Sequence, residues 1–167
     1  MGGTERGNVS AKAKLAFAAL AAGALAWAVL IGSSAVAAEP ADQIKVYKTP
    51  GCGCCTAWED YLRDEGFEVV SRDVNQHELN AIKQEQGLGR ELASCHTAFI
   101  GDYVIEGHVP AEDIRRLIEE RPDVDGIAVP GMPVGSPGME MGDRQDPYDV
   151  VTFVDGRKMD VFASHHQ

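Results

Sequence analysis

Positive charge is in short supply in this 167-residue chain. Lys and Arg number 15 against 26 Asp and Glu, a formal net charge of −11. A chain so acidic does not grip nucleic acid through its phosphates. A soluble, well-solvated surface is enough to explain the acids. Internal repeats are absent. Long apolar runs are confined to Leu15 through Ile31, uncharged and apolar apart from one glycine. Cysteine is scarce as well, at four residues. That number excludes a densely stapled scaffold and leaves room for two bridges at most.

The one apolar run sits in a targeting context. Arg6, Lys12 and Lys14 precede it, and Ser33-Ser34-Ala35-Val36-Ala37-Ala38 follows it with small residues of the Ala-x-Ala type. Residues 1–38 therefore read as a signal peptide cleaved after Ala37 or Ala38, and the protein as periplasmic or exported. The rival reading is an uncleaved anchor, for which a 17-residue run, much of it alanine, is short. The chain would then touch the membrane only through this segment. Without it the balance is 12 basic against 25 acidic residues, or −13. The remaining domain, residues 39–167, is about 130 residues and can bury a core without disulfides. Its cysteines are therefore free for chemistry.

Three of the four cysteines fall within Cys52-Gly53-Cys54-Cys55. Residues 44–48 before them alternate like a strand, and Trp58, Tyr61 and Leu62 after them mark an apolar helix face. The cysteines thus occupy the turn from a strand into a helix expected over 56–65, with Gly66 ending it. Free N–H groups and the helix dipole favour thiolate there. Thiolate is the form that binds metal and attacks disulfides. Cys52-x-x-Cys55 has the spacing of a redox pair or a metal clip. A plain structural disulfide would leave a third sulfur without use.

Residues 67–74 alternate as a second strand. Asn75 with Glu78 forms a capping box for a second helix that stops near Gly87. Thr97 to Ile100 suits a third strand, Gly101-Asp102 a turn, and residues 103–108 a fourth strand. Pro110 is placed as the first residue of a third helix, with Ile114, Leu117 and Ile118 inward and Pro122 after it. The order β-α-β-α-β-β-α is that of a thioredoxin-like α/β domain. Val129 to Gly142 carries four glycines, three prolines and three methionines and must be a loop. Asp155-Gly156 then joins two strands of a C-terminal β-hairpin. His165 and His166 read as a frayed tail.

In such a fold the loop entering the third strand lies against the start of the first helix. Here it carries Ser94-Cys95-His96, where thioredoxins place a proline. Cys95 would then meet Cys52, Cys54 and Cys55, with His96 beside them. Four soft thiolates suit Cu(I), Zn(II) or an iron–sulfur cluster. Zinc prefers one closed tetrahedron. Neighbouring Cys54 and Cys55 fit two ions better than one, which favours a polynuclear Cu(I) site and places zinc second. His108 is balanced between a metal ligand and a helix cap. Met132, Met139 and Met141 read first as packing residues and second as thioether ligands.

Four motifs then carry a resemblance. They are Lys48-Thr49-Pro50-x-Cys52-Gly53-Cys54-Cys55-x-x-Trp58, Ser94-Cys95-His96-Thr97-Ala98, Ile105-Glu106-Gly107-His108-Val109-Pro110, and Gly126-x-Ala128-Val129-Pro130-Gly131-Met132-Pro133-x-Gly135-Ser136-Pro137-Gly138-Met139-Glu140. Together, over residues 44–162, they resemble the CopG-like family of exported metal-binding proteins of bacterial copper resistance. The resemblance implies a thioredoxin-like fold, periplasmic location and copper held by Cys52, Cys54, Cys55 and Cys95, with His96, His108, Met132 and Met139 as further ligands. Copper ions and other periplasmic copper-handling proteins are the implied partners. The expected function is Cu(I) binding in copper resistance or homeostasis, with redox cycling of the metal in view. A thiol–disulfide oxidoreductase using Cys52-x-x-Cys55 is the alternative. A purely structural two-disulfide domain ranks last.

Overall fold

The computed structural model describes residues 43–167. The leader expected over residues 1–38 lies outside them. Among the described residues no helix is long and apolar enough to cross a membrane.

The chain runs β1 (Gln43–Lys48), α1 (Gly53–Asp64), β2 (Glu68–Asp73), α2 (Gln76–Glu85), β3 (Thr97–Ile100), β4 (Tyr103–Glu106), α3 (Ala111–Glu120), β5 (Gly126–Ala128), β6 (Tyr148–Val154) and β7 (Arg157–His165). All seven strands form one mixed sheet in the order β2-β1-β3-β4-β5-β6-β7. β1 and β2 pair in parallel around α1, as the crossover reading requires. β3 runs antiparallel to β1 and to β4.

The sheet has a core on each face. On one side Ile44, Val46, Ala98, Ile105 and Ile127 meet Trp58 and Leu62 of α1 and Ile114 and Leu117 of α3. On the other, Val104, Ala128, Val151 and Phe153 pack with Leu88 and Leu92 from the segment after α2. Period-two alternation along the strands sends successive side chains to opposite cores.

Several boundaries differ from the sequence reading. α1 begins at Gly53, so Cys54 and Cys55 lie inside its first turn and Cys52 is the N-cap. β4 ends at Glu106 because Gly107, with φ +76°, turns the chain out of the strand. Pro110 is the N-cap of α3, one residue before the helix. β5 was not expected. It is a three-residue strand that connects the hairpin β6–β7 to the main sheet. Asn75 caps α2 as expected, its Oδ1 accepting from the Glu78 N–H at 2.9 Å.

The C-terminus is not frayed. His165 lies in β7, its Nε2 is 2.7 Å from Asp113 Oδ2, and its ring stacks on Tyr148 at 5.0 Å. Glu112 stands nearby, 4.0 Å from Nδ1. This imidazole–carboxylate pair ties the last strand to the first turn of α3, with a half-buried His165 partnering the buried Asp113. Of the loop methionines, Met132 is 52% and Met141 65% exposed, whereas Met139 is half-buried.

Candidate functional site

The site forms where three stretches of chain meet at the start of α1. Cys52 adopts an extended N-cap conformation, with φ −82° and ψ 91°. Its N–H donates to the Thr49 carbonyl at 3.1 Å, and its carbonyl accepts from the Thr56 N–H at 3.2 Å. This turn fixes where the sulfurs leave the backbone. Cys55 is fully buried, whereas Cys52 and Cys54 are half-buried. Cys52 and Cys55 are joined in a disulfide, with their Cα atoms 5.3 Å apart. In this state the site holds one bridge and two free thiols, Cys54 and Cys95, in place of the four thiols expected.

Cys54 Sγ lies 3.6 Å from Cys52 Sγ and 3.9 Å from Cys95 Sγ. Cys95, 41 residues further along the chain, therefore does reach the helix start. All four sulfurs lie within 4.8 Å of one another. Cys95 Sγ also stands 3.0 Å from His108 Nε2 and 3.4 Å from His96 Nδ1.

The tautomer of His108 follows from its other nitrogen. Nδ1 is 2.8 Å from the Pro137 carbonyl, which can only accept, so Nδ1 carries the proton. The Nε2 lone pair then faces the Cys95 sulfur, the arrangement a metal-ligating imidazole needs. Burial pushes the pKa of His108 down, opposed by the Pro137 carbonyl and by Glu140, so the neutral ring is favoured.

His96 is fully buried and lies on Trp58, ring centroids 4.3 Å apart. Burial first, then the nearby His108 and Lys83, holds its pKa well below the ordinary value. Its Nε2 has no hydrogen-bond partner. The Cys95 thiol is pushed up to about 12, chiefly by burial and then by Cys54. The helix-start argument for thiolate does not extend to this loop cysteine. A bound cation reverses that preference, since a coordinating thiol is deprotonated outright.

The structure thus brings together Cys52, Cys54, Cys55, Cys95, His96 and His108. Met132 and Met139 lie on the loop that follows β5. Its Gly138 sits against the backbone of Cys54 and Trp58, where an added Cβ would come within 2.7 Å of each. Met139 beside it is half-buried. A cavity of about 500 Å³ elsewhere is lined by Tyr103, Arg121 and Pro122 among others and by no cysteine or histidine.

Two features escaped the sequence reading. The Pro137 carbonyl that orients His108 is a backbone group and leaves no side-chain signal. Glu106, a carboxylate closing the apolar run Tyr103-Val104-Ile105, was a visible anomaly.

Fold and site together define a thioredoxin-like domain carrying a thiol–imidazole cluster at the start of its first helix. The glutaredoxin family matches residues 44–89, and the family described as a protein of unknown function, DUF411, matches residues 92–139. Two solved structures of a copper resistance protein CopG are similar to it. One, form 2, shares 46% identity with a TM-score of 0.67, covering 74% of this chain and 97% of that one. The other, form 1, shares 45% identity with a TM-score of 0.69, covering 75% and 98%. The chain belongs to the CopG family of copper resistance proteins. No curated protein sequence matches it.

Proposed function

We propose that this protein binds Cu(I) through Cys54, Cys95 and His108, joined by Cys52 and Cys55 once their bridge is reduced. The reduced form would hold a polynuclear site, with His96, Met132 and Met139 as further donors. The observation that carries this is the Cys95 contact set: a second thiol at 3.9 Å and a bare imidazole nitrogen at 3.0 Å. The donors are soft sulfur and borderline nitrogen, which suits Cu(I). Zinc is second, because it prefers one closed tetrahedron, whereas Cu(I) accepts low coordination at neighbouring thiolates such as Cys54 and Cys55.

The role would be copper binding for resistance or homeostasis outside the cytoplasm, exchanging metal with other copper-handling proteins. The leader-like sequence of residues 1–38 supports export, and the amino-terminal sequence of the secreted protein tests it. A start other than after Ala37 or Ala38 refutes cleavage there.

The deciding experiment is anaerobic Cu(I) competition against a chromophoric chelator, using reduced protein. Cys95→Ser is expected to lose more than about 100-fold in affinity, beyond what loss of an outer partner costs. No copper on the reduced wild type, or undiminished binding in Cys95→Ser, refutes the proposal.

The Cys52–Cys55 bridge at a helix start favours a second reading, thiol–disulfide exchange. It requires Cys55→Ser to trap a mixed disulfide at Cys52 and the metal-free protein to turn over a model disulfide. The two readings share a switch, since closing the bridge withdraws two sulfurs from any metal.

A further inference from the structure

A buried ion pair stands directly behind the sulfur site. Glu106, at the end of β4, is fully buried, and Lys83 of α2 is 8% exposed. Lys83 Nζ lies 2.5 Å from Glu106 Oε1 and donates to Thr97 Oγ1 at 2.9 Å. Thr97 Oγ1 donates in turn to Glu106 Oε2 at 2.7 Å. The remaining bond is the informative one. Glu106 Oε1 also accepts from the backbone N–H of Ser94 at 2.6 Å.

Apolar replacement of a buried pair is often neutral for stability, so stability alone does not explain this one. What an apolar pair cannot do is hold the amide of the residue before Cys95. The next residue, Gly107, holds the residue after it, its N–H donating to the His96 carbonyl at 3.2 Å. Gly107 must be glycine for this approach, because an added Cβ would lie 2.5 Å from Ser94 Cβ. Two successive residues of the chain thus clamp both neighbours of Cys95.

We infer that Glu106, with Lys83 as its counter-charge, is a positioning residue for Cys95, fixing its sulfur against Cys54 Sγ and His108 Nε2. Lys83 supplies the counter-charge that a carboxylate in the core needs, and the carboxylate accepts from the Ser94 amide. The inference rests on the copper reading only for its consequence for metal binding. Its geometric content is independent of metal.

The test uses metal-free full-length protein with the Cys52–Cys55 bridge intact. Diamide removes one hydrogen from each of the Cys54 and Cys95 thiols, is itself reduced to the hydrazine, and leaves a Cys54–Cys95 disulfide. The rate of that closure, followed by peptide mass mapping, reports how well the two sulfurs are placed. Near-UV circular dichroism confirms folding. Lys83→Met with Glu106→Leu is expected to slow closure by about tenfold or more, the scale of a lost outer partner. Lys83→Met with Glu106→Gln offers an amide oxygen to the Ser94 N–H and should restore most of the rate. Glu106→Asp keeps the charges but draws the carboxylate back, and should also be slow. It carries the test if the leucine variant does not fold.

Closure at the wild-type rate in folded Glu106→Asp or the leucine variant overturns the inference. In Cu(I) competition the slow variants should bind about tenfold or more weakly. Slow variants with wild-type copper affinity overturn the consequence for metal. A wild type that closes normally yet holds no copper refutes the copper reading and leaves the positioning role standing.

Discussion

Gly138→Ala is the sharpest perturbation the structure offers away from the sulfurs themselves. Gly138 has φ +80°, in the left-handed region, and its missing Cβ would fall 2.7 Å from the Cys54 carbonyl oxygen and 2.7 Å from the Trp58 nitrogen. Both are helix backbone atoms, which cannot rotate aside. The left-handed conformation costs a residue with a Cβ about 1–2 kcal/mol. Overpacking against a rigid neighbour adds about 1–3 kcal/mol. Together they reach about 2–5 kcal/mol, unless the loop swings off α1. Swinging off breaks the bond from His108 Nδ1 to the Pro137 carbonyl, worth about 1 kcal/mol net. For a domain of this size, a loss of 2–3 kcal/mol lowers the Tm by on the order of 10 °C. Gly131→Ala is the control. Its φ is +72°, but nothing lies within 4 Å of an added Cβ, so only the conformational term of about 1–2 kcal/mol applies. The assay is thermal unfolding of both variants, with the His108 imidazole N–H signal followed by NMR. A Gly138→Ala protein no less stable than Gly131→Ala, and with that signal unchanged, would refute the claim that the loop is seated on the cysteine helix.

Three further outcomes follow from the same geometry. Trp58→Phe keeps the buried ring but removes the Nε1–H bond to the Val109 carbonyl at 2.9 Å. It should cost about 1–3 kcal/mol in urea unfolding, and no loss would mean that carbonyl finds another donor. His96 is neutral in the fold, with its pKa well below 6.5. The unfolded chain binds a proton there and the native chain does not, so stability is full above 6.5 and falls below it, at up to about 1.4 kcal/mol per pH unit. His96→Phe should flatten that slope in metal-free protein, and an unchanged slope would assign it to other groups. His165→Ala strips a partner from Asp113, whose side chain is 5% exposed. It should destabilise by about 1–3 kcal/mol while leaving Cu(I) affinity unchanged, and a fall in affinity would refute the separation of that pair from the sulfur site.

The strands with one alternating run each were legible in the sequence, as were the Asn75 cap and the Asp155-Gly156 turn. Both turn residues do take positive φ, at 50° and 68°. β5 was not legible. Gly126-Ile127-Ala128 is buried on both faces, so it shows no alternation, and its partners β4 and β6 lie about 20 residues away on either side. The extension of β7 to His165 was missed because Ala163-Ser164-His165 shows no apolar alternation and is terminal, and its order comes from distant partners: pairing with β6, the Tyr148 ring and Asp113. The meeting of Cys95 with the helix start was legible from topology, which carries no distance. The exposure of Met132 was not, because thioether packing and thioether display look the same in a chain of Gly and Pro.

The division of labour among the sulfurs follows from the helix itself. Successive helical residues point about 100° apart, so Cys54 and Cys55 leave the helix in different directions even though their sulfurs stay within 4.8 Å. Cys55 turns inward, is fully buried and closes on Cys52 at the N-cap. Cys54 turns outward towards Cys95 and, through it, His108. The adjacent cysteines that argued against a single tetrahedral ion therefore belong to two overlapping sets. One is a bridge that redox chemistry opens and closes. The other is a thiol–thiol–imidazole group that contains no sulfur of the bridge. Under the copper reading, the second set alone gives a low-coordinate Cu(I) ion its donors. Opening the first adds two sulfurs within bridging distance, so the oxidation state of Cys52 and Cys55 sets how much metal the helix start can carry.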